Sequence, residues 1–268
     1  MSQDPYAALG DAPEATQRRL LDAMIARSED PRQIEMRRAY LSRLDLPRGA
    51  AAVELGSGPG DVTRDLIETG GAATALGLEP SPVMVEAARA RHADLPALRF
   101  EVGDAKATGL PDASQDLVAM HTLLIHCPGP EEALAEARRI LKPGGALTVF
   151  DEGPISVTAA TAEHDPMAPV IARLIEAYVH DRWLVRRLPA LLSAAGFEAS
   201  SREGHLYLPD PGSAYFQSMI DRGADVLLAD GTIGEALAEG LRAEARRRAD
   251  EGRGYGAISF VSLVARKG

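Results

Sequence analysis

The segment Val53-Glu54-Leu55-Gly56-Ser57-Gly58-Pro59-Gly60-Asp61-Val62-Thr63 constrains the chain more than any other. An apolar run from Ala50 to Leu55 is closed by glycines at alternate positions, after which Val62, Leu66 and Ile67 fall on one side of a helix. The order is strand, tight loop, helix. Glycine permits φ > 0 and lets the backbone approach a ligand, while the free N–H groups at the following helix start can meet it. A nucleotide-like ligand suits such a loop, although a glycine-rich turn can also be purely structural. Other features narrow the choice. Glu54 stands just before the first glycine, and Glu79 ends the next apolar run, Ala73 to Leu78, at the roughly 20-residue spacing where a carboxylate would receive ribose hydroxyls. Gly103-Asp104-Ala105 follows a third strand, and Leu141-Lys142-Pro143-Gly144-Gly145 precedes a fifth.

With these motifs in this order, the stretch from about Ala50 to Phe150 resembles the class I S-adenosylmethionine-dependent methyltransferases, most closely the small-molecule branch that includes the quinone-biosynthesis enzymes. The resemblance implies an α/β fold: a Rossmann-like, doubly wound, seven-stranded sheet with S-adenosyl-L-methionine as cofactor. It places Gly56, Ser57, Gly58 and Gly60 beside the methionine portion, with Glu54 supporting that loop or the amino group. Glu79, followed by Pro80, takes the ribose hydroxyls; Met84 packs near the adenine, and Asp104 and Ala105 face its amino edge. Plainer roles exist for several of these. Glu54 or Asp104 could be a solvated strand-end acid, and Met84 could be core packing.

Composition sets outer bounds. A chain of 268 residues with 46% hydrophobic and 25% charged residues can bury a full core. The net charge is −10, and no dense lysine or arginine stretch offers a surface for tracking phosphates, so nucleic acid is not an expected partner. The single Cys127 excludes an internal disulfide. The start, Met1-Ser2-Gln3-Asp4-Pro5, lacks the basic and apolar regions of a signal peptide, and no apolar run approaches the roughly 20 residues of a membrane span. A cytoplasmic protein acting on a small molecule, without membrane partners, is the expectation.

Helical spacing predicts two leading helices, at Pro13 to Arg27 and Pro31 to Leu44, in an amino-terminal cap over residues 1–48. The cofactor-binding half, 49–151, alternates strand 51–55, helix 61–69, strand 73–78, helix 82–91 and strand 98–102, then strand 116–121, helix 130–141 and strand 146–150. Residues 152–182 read as a lid insertion with a helix from about Met167 to Val179. In 183–268 a helix, a strand at 197–207, a helical insertion at about 209–254 and a last strand from Ala257 complete the sheet. The surface helix at 231–250 could be a homodimer contact or an ordinary cover.

Acceptor chemistry is less sharply written. His121 ends the fourth strand and His126 follows in the loop, where open α/β sheets place ligands, and histidine suits a general base for a phenol or enol proton. His121 is also expected among the cofactor-binding residues. Either ring could instead satisfy nearby backbone groups. Tyr178, His180 and Trp183 form a polar-aromatic cluster in the lid that could line a substrate pocket or simply pack a helix. Met120-His121-Thr122-Leu123 is unlike the tetrad of amino-methylating DNA enzymes, and no carboxylate spacing predicts a metal. The leading reading is methyl transfer to an oxygen of a small organic acceptor. Carbon or nitrogen methylation, an NAD(P)-dependent oxidoreductase, and a cofactor-binding module without methyl transfer remain as alternatives.

Overall fold

The structure is a computed structural model that describes residues 4–268; residues 1–3, part of the start read above for a leader, lie outside the described residues. Two helices come first, α1 (Glu14–Ser28) and α2 (Pro31–Leu41). Asp30 caps α2, accepting from the N–H groups of Arg32 and Gln33, and Pro31 occupies the first helical turn, where its missing N–H costs nothing. The same carboxylate accepts the hydroxyls of Tyr207 and Ser213, tying this turn to the far end of the chain.

The sheet follows: β1 (Ala51–Leu55), α3 (Asp61–Glu68), β2 (Thr74–Glu79), α4 (Pro82–Arg91), β3 (Leu98–Val102), β4 (Gln115–His121), α5 (Pro130–Ile140) and β5 (Leu141–Thr158). Then come α6 (Met167–Tyr178), α7 (Leu184–Ala194), β6 (Phe197–Tyr207), α8 (Ala214–Ala229), α9 (Glu235–Asp250) and β7 (Ala257–Lys267). The strands lie in the order β3-β2-β1-β4-β5-β7-β6, with β7 antiparallel to both neighbours. This is the seven-stranded Rossmann-like sheet. Val53, Leu55, Leu117, Val118 and Ala119 are wholly buried because helices cover both faces of the central strands, which is why those strands read as continuous apolar runs. Strand order reverses between β1 and β4, and ligands of such sheets bind in the crevice at that point.

One expectation needs correcting. The fifth strand does not stop at Phe150 to release a lid: it continues through Asp151 and Glu152, paired with Val261 and Phe260, to Thr158. Two acids broke the apolar pattern because they are buried side by side at the ligand end of the strand. The lid proper begins later. Its α6 crosses α8 closely, since a Cβ on Gly223 would come within 2.5 Å of the Val170 carbonyl oxygen. Among the described residues no helix is long and apolar enough to cross a membrane.

Candidate active site

The glycine loop is pinned before it meets any ligand. The N–H groups of Gly56 and Ser57 both donate to the carbonyl of Leu78, at 2.8 and 3.0 Å, which clamps the end of β1 to β2. Gly56, Gly58 and Gly60 adopt φ of +72°, +49° and +89°, a region that side chains disfavour. Their crowding adds a second constraint: a Cβ on Gly60 would lie 2.4 Å from the Phe100 ring. The loop then meets Glu79, whose two carboxylate oxygens accept the N–H of Gly58 at 3.0 Å and of Ser81 at 3.1 Å. Burial pushes its carboxyl up to about 7 against the pull of those two bonds.

Glu54 is buried deeper. One oxygen accepts the Thr63 hydroxyl at 2.5 Å, and burial raises the group to about 8. Neither acid forms an ion pair among the described residues. The Ser57 hydroxyl is likewise buried without a partner. A hydroxyl and two carboxyls held dry around a pre-bent loop fit a polar ligand with donors, because buried polar groups otherwise cost stability.

Glu54, Gly56, Ser57, Glu79, Pro80 and His121 line one cleft, as the sequence placed them, and Tyr6, Met24 and Arg27 close its amino-terminal side. Met84 does not reach it; the side chain is fully buried in α4. Asp104 is exposed and accepts the N–H of Lys106, and half-buried Ala105 packs against the core, so neither lines the cleft.

A second cavity adjoins the first and shares Tyr6, Met24, Arg27, Thr122 and His126 with it. Its remaining walls come from α6 and α8, through Ile175, Tyr178, Tyr215, Met219 and Arg222, with Glu152 from β5. The two histidines part company here. His121 is stacked on Phe150 with ring centroids 4.5 Å apart, and its Nδ1 lies 2.9 Å from the Tyr40 hydroxyl. Burial, and after it the Arg27 and Arg37 charges, hold this imidazole well below its ordinary range, so it stays neutral. His126 points its Nδ1 at Asp4 Oδ2, 2.8 Å away, and packs against the Tyr6 ring. Asp4 is fixed in turn by the N–H groups of Tyr6 and His180.

The loop that carries His126 is held by a buried acid. Asp151 accepts the N–H of Leu124 at 3.0 Å, and burial raises its carboxyl to about 7. Thr122 opens the loop at φ +52°, a strained conformation for a β-branched residue, with its N–H donated to Phe150 at 2.6 Å. In the lid, Tyr178 reaches the cavity, whereas His180 is exposed and Trp183 is covered only by the Arg186 guanidinium, 4.7 Å above its ring. The His180 and Trp183 expectation is corrected accordingly: both side chains are exposed, and His180 reaches the site only through its backbone N–H to Asp4. Glu152 stands just past Phe150, where the sequence offered Asp151 and Glu152 as alternative cleft acids, whereas Asp4, Tyr6, Arg27 and Arg222 were missed. No local signal marked them, since the amino-terminal segment, α1 and α8 meet only in the folded chain.

Residues 53–149 match a family model described as a methyltransferase domain. Over that stretch the chain is a methyltransferase domain. A trans-aconitate 2-methyltransferase of Methylobacterium radiotolerans is 36% identical over 127 residues, covering 47% of this chain and 47% of that protein. A ubiquinone/menaquinone biosynthesis C-methyltransferase of Acidiphilium cryptum is 26% identical over 177 residues, 65% of this chain and 63% of the relative. The YcgJ protein of Bacillus subtilis has the same fold, with a TM-score of 0.58 and 16% identity over 87% of this chain and 98% of that one. The chain spans about half the length of the first curated relatives it matches, 46% to 48%. The methyltransferase domain thus contains the glycine loop, Glu79 and both histidines, while α1, α6 and α8 lie outside the matched stretch.

Proposed function

We propose that this protein transfers the methyl group of S-adenosylmethionine to an oxygen of a small organic acceptor. The observation that carries the reading is the junction of two cavities at Thr122 and His126, one built around the glycine loop and Glu79, the other around the lid. The matched domain and the methyltransferase relatives support the cofactor. In the arrangement seen here, Glu79 would receive the ribose hydroxyls, and the second oxygen of Glu54 and the Ser57 hydroxyl would meet the polar end of the methionine portion. The cleft itself is only about 80 Å³, well below what a nucleoside cofactor fills, so α1 must yield for entry. Met24, an unbranched side chain whose Cε lies 2.3 Å from a Cβ built on Gly58, is the part best able to do so.

When bound, the cofactor supplies a methyl group on a sulfonium sulfur, which keeps the electron pair of the breaking bond as the acceptor oxygen takes the carbon. The protein must hold that oxygen in line, exclude water and accept its proton. His126 fits the last task. With Nδ1–H donated to Asp4, its Nε2 carries the lone pair, and the Asp4 carboxylate stabilises the imidazolium that forms. Leu174, Ile175 and Met219 give the second cavity apolar walls that keep solvent out. His121, stacked on Phe150 and bonded to Tyr40, is left as a neutral wall of the cleft.

Calorimetric titration with S-adenosylmethionine and S-adenosylhomocysteine, with NADH as control, tests the cofactor. Micromolar binding of both sulfur ligands and none of NADH is expected, followed by S-adenosylhomocysteine release with hydroxylated acceptors. Preference for NADH would overturn the reading, and a methylated carbon or nitrogen in the product would overturn the choice of oxygen.

A further inference from the structure

The second cavity holds two guanidinium groups that form no ion pair among the described residues. Carboxylates face arginines throughout the molecule, as at Arg37 with Asp65, Arg139 with Glu136 and Arg248 with Asp165. Arg27 and Arg222, like several arginines at the surface, have no carboxylate partner among the described residues, and these two line a cavity. Arg222 donates its Nε to the Ser218 carbonyl at 3.2 Å and one Nη to the Tyr6 hydroxyl at 3.3 Å, and its guanidinium lies 5.3 Å from the Tyr178 ring centroid. These contacts fix its direction and leave the charge unanswered. The Arg27 side chain makes no hydrogen bond among the described residues.

Two acids lie nearby, and neither closes on a guanidinium among the described residues. Asp4 is bonded to His126 and two backbone N–H groups, and Glu152 faces both guanidinium groups across the cavity without an ion pair to either. Guanidinium N–H groups without an ion pair are ready donors for an anionic ligand. Position then says which part of the ligand is the anion. His126 lines both cavities, so the reacting atom belongs beside it; Arg222 lines only the second, on the side away from the glycine loop.

We propose that the acceptor is a small hydroxy acid whose carboxylate is received by Arg222, with Arg27 adding to the positive field, and whose hydroxyl faces His126. A planar guanidinium receives a carboxylate through two parallel N–H bonds, which fixes direction as well as position. Met24, Leu174, Ile175, Val179 and Met219 supply an apolar stretch of wall, beside Thr122, Glu152 and the tyrosines, that suits a hydrocarbon or aromatic spacer between the two groups. This deepens the methyltransferase reading and rests on it.

The test is calorimetry on protein saturated with S-adenosylhomocysteine, using 4-hydroxybenzoate, 4-hydroxyphenylacetate and malate, each beside its amide. At least one acid is expected to bind tenfold or more tightly than its amide. Arg222→Met should weaken that acid tenfold or more and leave S-adenosylhomocysteine affinity unchanged, and Arg222→Lys should fall between, because it keeps the charge and loses the paired geometry. The unchanged S-adenosylhomocysteine affinity also verifies that each variant is folded. Equal binding of every acid and its amide, or an Arg222→Met variant that binds the acid as before, would overturn the proposal. Failure of S-adenosylhomocysteine itself to bind is a separate result that removes the methyltransferase reading.

Discussion

The cofactor cleft takes its glycine loop and both buried acids from two successive strand-and-loop units, β1 with its glycines and β2 ending at Glu79, whereas the adjoining cavity gathers Tyr6, Arg27, His126, Glu152, Tyr178 and Arg222 from six separate places in the chain. The first is held by short-range bonds, such as Gly56 to Leu78 and Gly58 to Glu79. The second exists only because α1, α6 and α8 dock around the end of the sheet. A locally built site survives changes in its neighbours; an assembled one depends on them. Damage to the acceptor side should therefore leave cofactor binding intact, and each prediction below presses on that asymmetry.

The largest effect is expected at Glu79. Glu79→Ala strands the N–H groups of Gly58 and Ser81 and removes the carboxylate meant for the ribose, so S-adenosylhomocysteine affinity should drop about 100-fold, ~2.7 kcal/mol. Calorimetry reads this directly. Affinity kept within about threefold, by the same scale, would mean that the cleft is not where the nucleoside binds. Next comes His126→Ala, for which kcat should fall about 100-fold or more, as loss of a general base does, while S-adenosylhomocysteine affinity stays near that of the parent. Asp4→Asn should cost less and should change the pH profile of kcat, because it acts only through the imidazole. If His126→Ala lost cofactor affinity as well, the two regions would not be independent.

The same asymmetry governs how much the sequence disclosed. Alternating strands and helices, the β6 range and the glycine loop were legible because each is a pattern within a short window: Gly60 must adopt φ +89°, and β1 must be apolar on both faces. The continuation of β5 was hidden by Asp151 and Glu152, whose burial only the opposing strand β7 explains. Asp4 could not be recognised as the partner of His126, since 122 positions separate them and neither residue type is unusual where it stands. His180 and Trp183 show the converse. A cluster that looked functional in one dimension faces outward in three, because the turn after α6 directs only Tyr178 inward.

A subtler effect follows from the two buried acids of the cofactor cleft. Burial raises Glu79 to about 7 and Glu54 to about 8, so near neutral pH a fraction of each still carries a proton. Receiving an ammonium group or hydroxyl donors favours the ionised form, so S-adenosylhomocysteine affinity should rise with pH from 6 to 8, by at most about tenfold per unit for each proton released. Glu54→Gln should flatten the upper part of that rise. Stability runs the other way. Both groups bind their proton more tightly folded than unfolded, so the ligand-free protein has stability that is complete below the ordinary carboxyl value of 4.5 and is lost as pH climbs through 7 to 8. Thermal unfolding of the ligand-free protein should show a falling Tm across this window, and saturating S-adenosylhomocysteine should offset the fall. A Tm that rose from pH 5 to 8 would contradict the burial of these acids as charged-state penalties.

The smallest effect is the one that most sharply divides motif from geometry. Met84 occupies the position that the family resemblance assigns to adenine, yet its side chain is wholly buried in α4, behind the Ser81 cap and outside the cleft. If packing is its whole role, Met84→Leu, a swap that roughly conserves volume, should cost under about 1.5 kcal/mol of stability and leave S-adenosylhomocysteine affinity within about twofold. If the resemblance is right about adenine, affinity should fall while Tm barely moves, because the cleft must then open on that side when α1 yields and expose Met84 to the ring. Paired measurements of Tm and S-adenosylhomocysteine affinity on the one variant separate these outcomes. A pure Tm effect would place the adenine wall among the residues now covered by Tyr6, Leu9 and Pro80, which already line the cleft.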